Sequence, residues 1–141
     1  MESKSIQLDL GIVTYRLNDA VEISFNPTDA AYVERIYNTF EELDKKQEAY
    51  RAEAQKAEKR EVFQLARRRD AEMREMVDAA LGAEVCGPLF GGMNIYAMSG
   101  GLPLWANLLL AIMDEIDTTF AREQKLTNPR IRKYSEKYKR K

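Results

Sequence analysis

The sequence contains no histidine and one cysteine, Cys86. It therefore lacks Ser-His and Cys-His nucleophile pairs, histidine-ligated metal sites and any intramolecular disulfide. The longest apolar run, Leu108 to Met113, is six residues, whereas a membrane span needs about 20. The first ten residues show no basic stretch followed by an apolar one, so no secretory leader is expected. These absences predict a cytoplasmic, non-enzymatic protein without cofactor, metal or membrane span.

Glycine and proline are also scarce, with 7 and 4 residues in a chain of 141. At 45% hydrophobic and 32% charged, the chain can fill a core and is poor in loop-forming residues, which is typical of helix-rich globular proteins. The length suits one domain, because domains usually hold about 100–150 residues. We expect a mainly α fold whose long helices pack as a bundle.

The formal net charge of −1 hides an uneven distribution. Residues 130–141 hold seven lysines and arginines and a single acid, Glu136, whereas the rest of the chain is acidic. Nucleic-acid binding needs such charge on a folded face or interleaved with aromatics, and only Tyr134 and Tyr138 interleave it here. The segment 128–141 is therefore interpreted as a solvated basic tail, in preference to a phosphate-binding one.

Alternating polar and apolar residues near the N-terminus predict β-strands within residues 6–25. The apolar positions are Ile6, Leu8, Leu10, Val13, Tyr15, Val21, Ile23 and Phe25. Between them, Asn18 and Asp19 suit a tight turn because both tolerate positive φ. Residues 1–27 are expected to form a two- or three-stranded antiparallel unit, which makes the fold α+β. Its apolar face must lie on helices or on another chain.

A helical domain is predicted over residues 28–127. Neither glycine nor proline occurs among the 53 residues from Asp29 to Leu81, and Thr28 or Asn26 can cap the first helix. A coiled-coil-like seam begins this stretch. The seam residues are Ile36, Phe40, Leu43, Gln47, Tyr50, Ala54 and Ala57. The apolar positions then slip by one residue, which predicts either two helices joined near 57–61 or one helix that bends there.

Six of the seven glycines lie from Gly82 to Gly101, after which a last long helix is expected. Gly82 is a natural helix stop, and the apolar connector that follows suggests a packed segment with short helical turns. The next helix is predicted to begin at Leu102 or Pro103. Its apolar face consists of Trp105, Leu108, Leu109, Ile112, Ile116 and Phe120. A short basic helix is predicted to follow Asn128-Pro129.

Three groups of residues have the composition of chemical sites, but each is better explained structurally. Asp114 and Asp117 could hold a hard cation, yet the solvated face of their helix accounts for both. The glycine pairs 91–92 and 100–101 match no phosphate-binding spacing and are interpreted as turns. Cys86 has no neighbouring base and lies among apolar residues, which indicates a core position.

Three segments resemble a known protein family. They are SFNPTDAAYVERIYNTFEELDKKQ (Ser24 to Gln47), CGPLFGGMNIYAMSGGLPLWANLLLAIMDEID (Cys86 to Asp117) and the ending TNPRIRKYSEKY. The family is that of the tail assembly chaperones, encoded in the tail modules of siphophages and prophages of Gram-positive bacteria. The resemblance covers nearly the whole chain through structural, not catalytic, motifs. It implies a protein that binds the tape measure protein, keeps it soluble and helps tail-tube subunits polymerise around it.

A chaperone of a helical, apolar client needs amphipathic helices and adaptable apolar surface, and the sequence provides both. We expect client contacts from large side chains of the first long helix, of the glycine-rich connector and of the start of the last long helix. These candidates are Tyr37, Phe40, Tyr50, Met93, Tyr96 and Trp105. The implied partners are the tape measure protein and tail-tube subunits, and a homo-oligomer stays open.

Two alternatives remain beside the chaperone. One is a structural tail or neck completion protein whose N-terminal strands pair edge to edge with copies of itself in a ring. The other is a small nucleic-acid-binding protein that uses Arg130 to Lys141, for which DNA affinity should fall steeply with salt. An enzyme is the least favoured class, since no nucleophile or phosphate motif is present.

Overall fold

The computed structural model describes residues 2–126 and is mainly helical, with a small N-terminal antiparallel hairpin. Its elements are β1 (Val13–Leu17), β2 (Val21–Phe25), α1 (Ala30–Lys56), α2 (Lys59–Leu81), α3 (Cys86–Phe90), β3 (Met98–Ser99), β4 (Leu102–Pro103) and α4 (Leu104–Lys125). This architecture confirms the expected α+β fold. The helix predicted after Asn128-Pro129 and the basic tail lie outside the described residues.

The N-terminal hairpin turns where the sequence predicts it. Strands β1 and β2 pair antiparallel, with Val13 opposite Phe25 at the open end. At the closed end Asn18 and Asp19 both have positive φ, 49° and 56°, and such a turn matches the twist of the flanking strands. Ile23 and Phe25 are buried in the same core as the helices, so the hairpin lays one face on them.

The strand predicted over residues 6–10 is wrong. Ile6, Leu8 and Leu10 lie outside any strand and are 85%, 73% and 63% exposed. Gly11, with φ of +67°, bends the chain between this segment and β1. A strand needs a backbone neighbour, and the sheet that residues 13–25 form has only two strands, neither paired with this segment.

Helices α1 and α2 form an antiparallel pair, which confirms the two-helix alternative. Two residues separate them at the predicted break. Lys46 contacts Glu72 at 2.7 Å, and Glu53, farther along α1, contacts Arg69, which precedes Glu72 in α2. A later residue of α1 thus contacts an earlier residue of α2, as in two antiparallel helices.

The core lies between the seam of α1, the apolar face of α2, and α4. Seam residues Ile36 and Leu43 are fully buried, and Gln47 is 8% exposed. Five residues of the face predicted for α4 are buried, namely Trp105, Leu108, Leu109, Ile112 and Ile116. Phe120 was predicted on the same face but is 46% exposed, because it borders an open groove between α1 and α4.

The entry to α1 differs from the prediction. Its N-cap is Asp29, whose carboxylate accepts a hydrogen bond from the Ala31 amide, and neither Thr28 nor Asn26 caps the helix. The Asn26 side-chain oxygen instead accepts hydrogen bonds from the amide and the hydroxyl of Thr28, each at 2.8 Å. Asn26 therefore shapes the turn that precedes the helix.

Glycines end or turn the later elements. Gly82 caps α2 in the left-handed conformation, with φ of 70°, as predicted. Gly100 and Gly101 also have positive φ and link β3 to β4. Because β4 takes up Leu102 and Pro103, α4 begins at Leu104, later than predicted.

Candidate protein-binding surface

The six residues predicted to contact a partner lie in three environments. Trp105 belongs to the core, and Phe40 packs against it. Trp105 is 2% exposed, and its indole N–H donates to the Oε1 atom of Gln47 at 2.7 Å. The half-buried ring of Phe40 lies 5.2 Å from the Trp105 ring, between centroids. The expectation that Trp105 contacts a partner is therefore corrected, because its side chain joins α4 to the seam of α1 inside the fold.

Tyr50 and Tyr96 form a second pair, which ties α1 to the glycine-rich connector. Their rings stack with centroids 4.7 Å apart and planes 16° apart. The Tyr96 hydroxyl contacts the Met73 sulfur of α2. Burial raises the pKa of Tyr96 to about 12, so its phenol stays neutral at physiological pH. Both residues are half-buried, so each offers a partner only part of its surface.

Tyr37 and Met93 are exposed, by 43% and 56%. Met93 lines an apolar groove of about 390 Å³, called here the Met93 groove, whereas Tyr37 does not. The groove is lined by Leu17, Asn18, Leu89, Phe90, Met93, Leu104, Asn107, Leu108 and Ala111. It therefore lies where the hairpin tip, α3 and the first turns of α4 meet.

Arg74 holds the Met93 wall of this groove in place. Its guanidinium donates to the carbonyl oxygens of Gly91 at 2.9 Å and of Met93 at 2.6 Å. The Asp70 carboxylate, one turn earlier in α2, accepts from Arg74 at 3.0 Å and from the Ile95 amide at 2.7 Å. Charge-assisted hydrogen bonds from one helix thus fix the connector on both sides of Met93.

Asp78 anchors the other end of the connector. Its Oδ1 atom accepts hydrogen bonds from the amides of Val85 at 3.0 Å and Cys86 at 2.9 Å, at the start of α3. Burial, assisted by the Asp78 charge, raises the pKa of the Cys86 thiol to about 12. The thiol is thus neutral and buried, as expected for a core cysteine.

Sequence reasoning missed Asp70, Arg74 and Asp78. All three lie in the charged surface of α2, where acids and bases at helical spacing indicate solvated ion pairs. Only Asp70 and Arg74 carried a usable signal, since they are four residues apart and pair within the helix. Their bonds to the connector span 17 to 25 residues of chain, which local spacing does not reveal.

The acidic cluster of α4 faces outward. Asp114, Glu115 and Asp117 are all exposed. Among residues 2–126, no group of three or more histidine, cysteine, aspartate or glutamate side chains is arranged to hold a metal ion. No helix in that range has the length and apolarity needed to cross a membrane.

The comparisons with known proteins add no relative. No family model, no curated protein sequence and no solved structure matches the chain.

Proposed function

We propose that the protein is a tail assembly chaperone of the bacterial host cytoplasm. It binds an amphipathic helix of the tape measure protein in the Met93 groove, keeps that protein soluble, and presents it to tail-tube subunits. The role is protein binding and requires no catalytic group.

The observation that carries the proposal is the origin of the groove. Seven of its nine lining residues come from the segment between Cys86 and Asp117, and that segment resembles the tail assembly chaperones. The resembling residues are Leu89, Phe90, Met93, Leu104, Asn107, Leu108 and Ala111. The resemblance and the exposed apolar surface therefore converge on one part of the molecule.

The chemistry of the groove suits a helical client. Leucine and phenylalanine side chains form most of it, and among residues 2–126 Asn18 and Asn107 are the polar lining residues. An amphipathic helix presents apolar residues three and four apart, and such a row can enter an apolar groove. Met93 is unbranched and 56% exposed, so it can adapt to different client side chains.

The expected affinity is moderate, as a carrier that must release its client requires. Burying each large aliphatic side chain contributes about 1.5–3 kcal/mol. Three client side chains would thus contribute roughly 5–9 kcal/mol, part of which is offset by the cost of association. The rigid wall held by Arg74 lowers that cost, because little ordering accompanies binding.

Co-expression with the tape measure protein of the same gene cluster tests this proposal. We expect the tape measure protein to become soluble and to co-purify with the wild-type chain. Met93→Glu should abolish co-purification, because it places a charge in the apolar groove. Phe63→Glu is the matched control, since Phe63 is 69% exposed on α2 and lies outside the groove.

Circular dichroism should show that both variants remain folded. Equal co-purification of the two variants, or a tape measure protein that stays insoluble beside the wild type, would refute the proposal. If the protein is instead found in purified phage particles, the structural tail or neck role replaces the chaperone role.

A further inference from the structure

The N-terminal segment carries an apolar face that no other part of residues 2–126 covers. Residues 5–12, called here the arm, alternate apolar and other residues as a strand does. Ile6, Leu8 and Leu10 share one side of that alternation and are 63–85% exposed. In residues 2–126 the backbone of the arm takes part in no sheet.

The root of the arm is nevertheless fixed to the body. The Asn26 side-chain amide donates to the Leu10 carbonyl at 2.8 Å, and the Asp9 carboxylate accepts from the Gly11 amide at 2.8 Å. Gly11 has φ of +67°, and a Cβ atom there would lie 2.8 Å from the Asn26 nitrogen. The root of the arm is therefore held by the hairpin, while Ile6 and Leu8 farther along it stay exposed.

A second open groove lies beside this root. It has a volume of about 430 Å³ and is bounded by the first turns of α1 and the last turns of α4. Its lining residues are Thr28, Ala30, Val33, Glu34, Ile116, Asp117, Phe120, Ala121 and Gln124. Thr28 contacts Asn26, which also holds the arm, so the root and this α1–α4 groove lie at the same end of the molecule.

We propose that two copies of this chain exchange arms, so that Ile6, Leu8 and Leu10 of one copy occupy the α1–α4 groove of the other. This self-association is independent of the client proposed for the Met93 groove. A two-fold axis near the arm roots would place each arm in the groove of the other copy. No arm or groove is then left unoccupied, so the assembly closes as a dimer.

The dimensions of the arm and the groove match. At about 3.3 Å per residue, Ile6 and Leu10 are roughly 13 Å apart in an extended arm. At 1.5 Å per residue, the groove wall from Ile116 to Gln124 is roughly 12 Å long. Phe120, 46% exposed in the middle of that wall, is the side chain that the arm would cover.

One charge near the arm also suits the groove. Among residues 2–126, the groove is lined by two carboxylates, Glu34 and Asp117, and by no basic side chain. Residues 2–12 hold one cation, Lys4, which lies two residues before Ile6, and two acids, Glu2 and Asp9. Asp9 is engaged with the Gly11 amide at the arm root. An arm seated in the groove would bring Lys4 to the carboxylates at its rim.

Light scattering during size-exclusion chromatography of the full chain tests the exchange. The wild type should have twice the mass of one chain. Leu8→Asp should weaken dimerisation by about 100- to 10,000-fold, because each of the two copies loses one buried leucine. Gln7→Asp adds the same charge to the opposite face of the arm and should remain dimeric. Phe120→Asp should act like Leu8→Asp from the groove side.

Disulfide trapping identifies the contact itself. Single variants Leu8→Cys and Ala121→Cys, mixed and oxidised, should form a covalent dimer, whereas Gln7→Cys mixed with Ala121→Cys should not. The buried Cys86 should not compete. A monomeric wild type, equal dimerisation of the Leu8→Asp and Gln7→Asp variants, or an intramolecular bond in the dilute Leu8→Cys/Ala121→Cys double variant would overturn the proposal. Met93→Glu should remain dimeric, which separates this result from client binding.

Discussion

Leu43 and Leu8 carry the same side chain within regularly spaced apolar patterns, yet Leu43 is fully buried and Leu8 is 73% exposed. Leu43 belongs to a seam whose neighbours α2 and α4 lie in the same chain. Leu8 belongs to an arm whose apolar face has no such neighbour within residues 2–126. Periodicity thus identifies which residues share a face, and the rest of the chain decides whether that face is core or interface.

The largest loss of stability should come from a substitution of Leu43, the buried leucine of this pair. Leu43→Ala removes buried methyl groups and leaves a cavity in the bundle, so it should lower the free energy of unfolding by about 3 kcal/mol. Urea denaturation followed by circular dichroism measures the change. A loss under about 1 kcal/mol would mean that the seam is not the principal packing surface.

Removal of the Asp78 carboxylate should have the next largest effect. Asp78→Ala leaves the buried amides of Val85 and Cys86 without acceptors, which should cost about 2 kcal/mol. Asp114→Ala is the control, since Asp114 is exposed and its loss should change stability by less than about 0.5 kcal/mol. Equal stabilities of the two variants would show that water replaces the Asp78 bonds.

Alkaline pH should lower the free energy of unfolding, because the folded chain buries one thiol and two phenols in their neutral forms. Burial raises the pKa of Cys86 from 9.0 to about 12, and those of Tyr32 and Tyr96 from 10.0 to about 12. In the unfolded chain these groups lose their protons at lower pH than in the folded chain. The stability that they contribute is therefore complete below pH 9 and falls as pH rises toward 12.

Urea denaturation at a series of pH values measures this decline. In Cys86→Ala it should begin near pH 10, where the tyrosines titrate, and not near pH 9. A flat profile from pH 9 to 12 in the wild type would contradict the assigned burial.

The smallest effect should come from the arm. Leu8→Ala should change the unfolding free energy of the dilute monomer by less than about 0.5 kcal/mol, because the side chain is already in water. At concentrations where the dimer forms, the same variant should become measurably less stable than the wild type, since dimerisation favours the folded chain. Thermal unfolding at two protein concentrations separates these cases.

Most of the fold could be predicted because its causes are local. The heptad slip near Ala57 predicted the break between α1 and α2, and Asn18-Asp19 predicted the hairpin turn. The first strand failed for a non-local reason, since alternation specifies a strand face but does not supply a paired backbone. The cap of α1 failed because Asn26 bonds to Thr28 and to the arm instead.

Less of the candidate surface could be predicted. The sequence identifies large apolar residues, but Trp105 is core and Met93 is exposed, and this difference depends on packing between distant elements. The acids and bases that brace Met93 are indistinguishable in sequence from solvated surface pairs. A wall of the groove is thus set by bonds between α2 and a connector many residues away.

The bond between Trp105 and Gln47 has a spectroscopic consequence. Trp105 is the one tryptophan of the chain, so all indole fluorescence comes from a buried ring bound to an amide oxygen between α1 and α4. Its emission should be blue-shifted in the folded protein and move to longer wavelength on unfolding. Trp105 lines neither groove, so this intrinsic signal follows the integrity of the bundle, and ligand titrations at either groove require an added fluorophore.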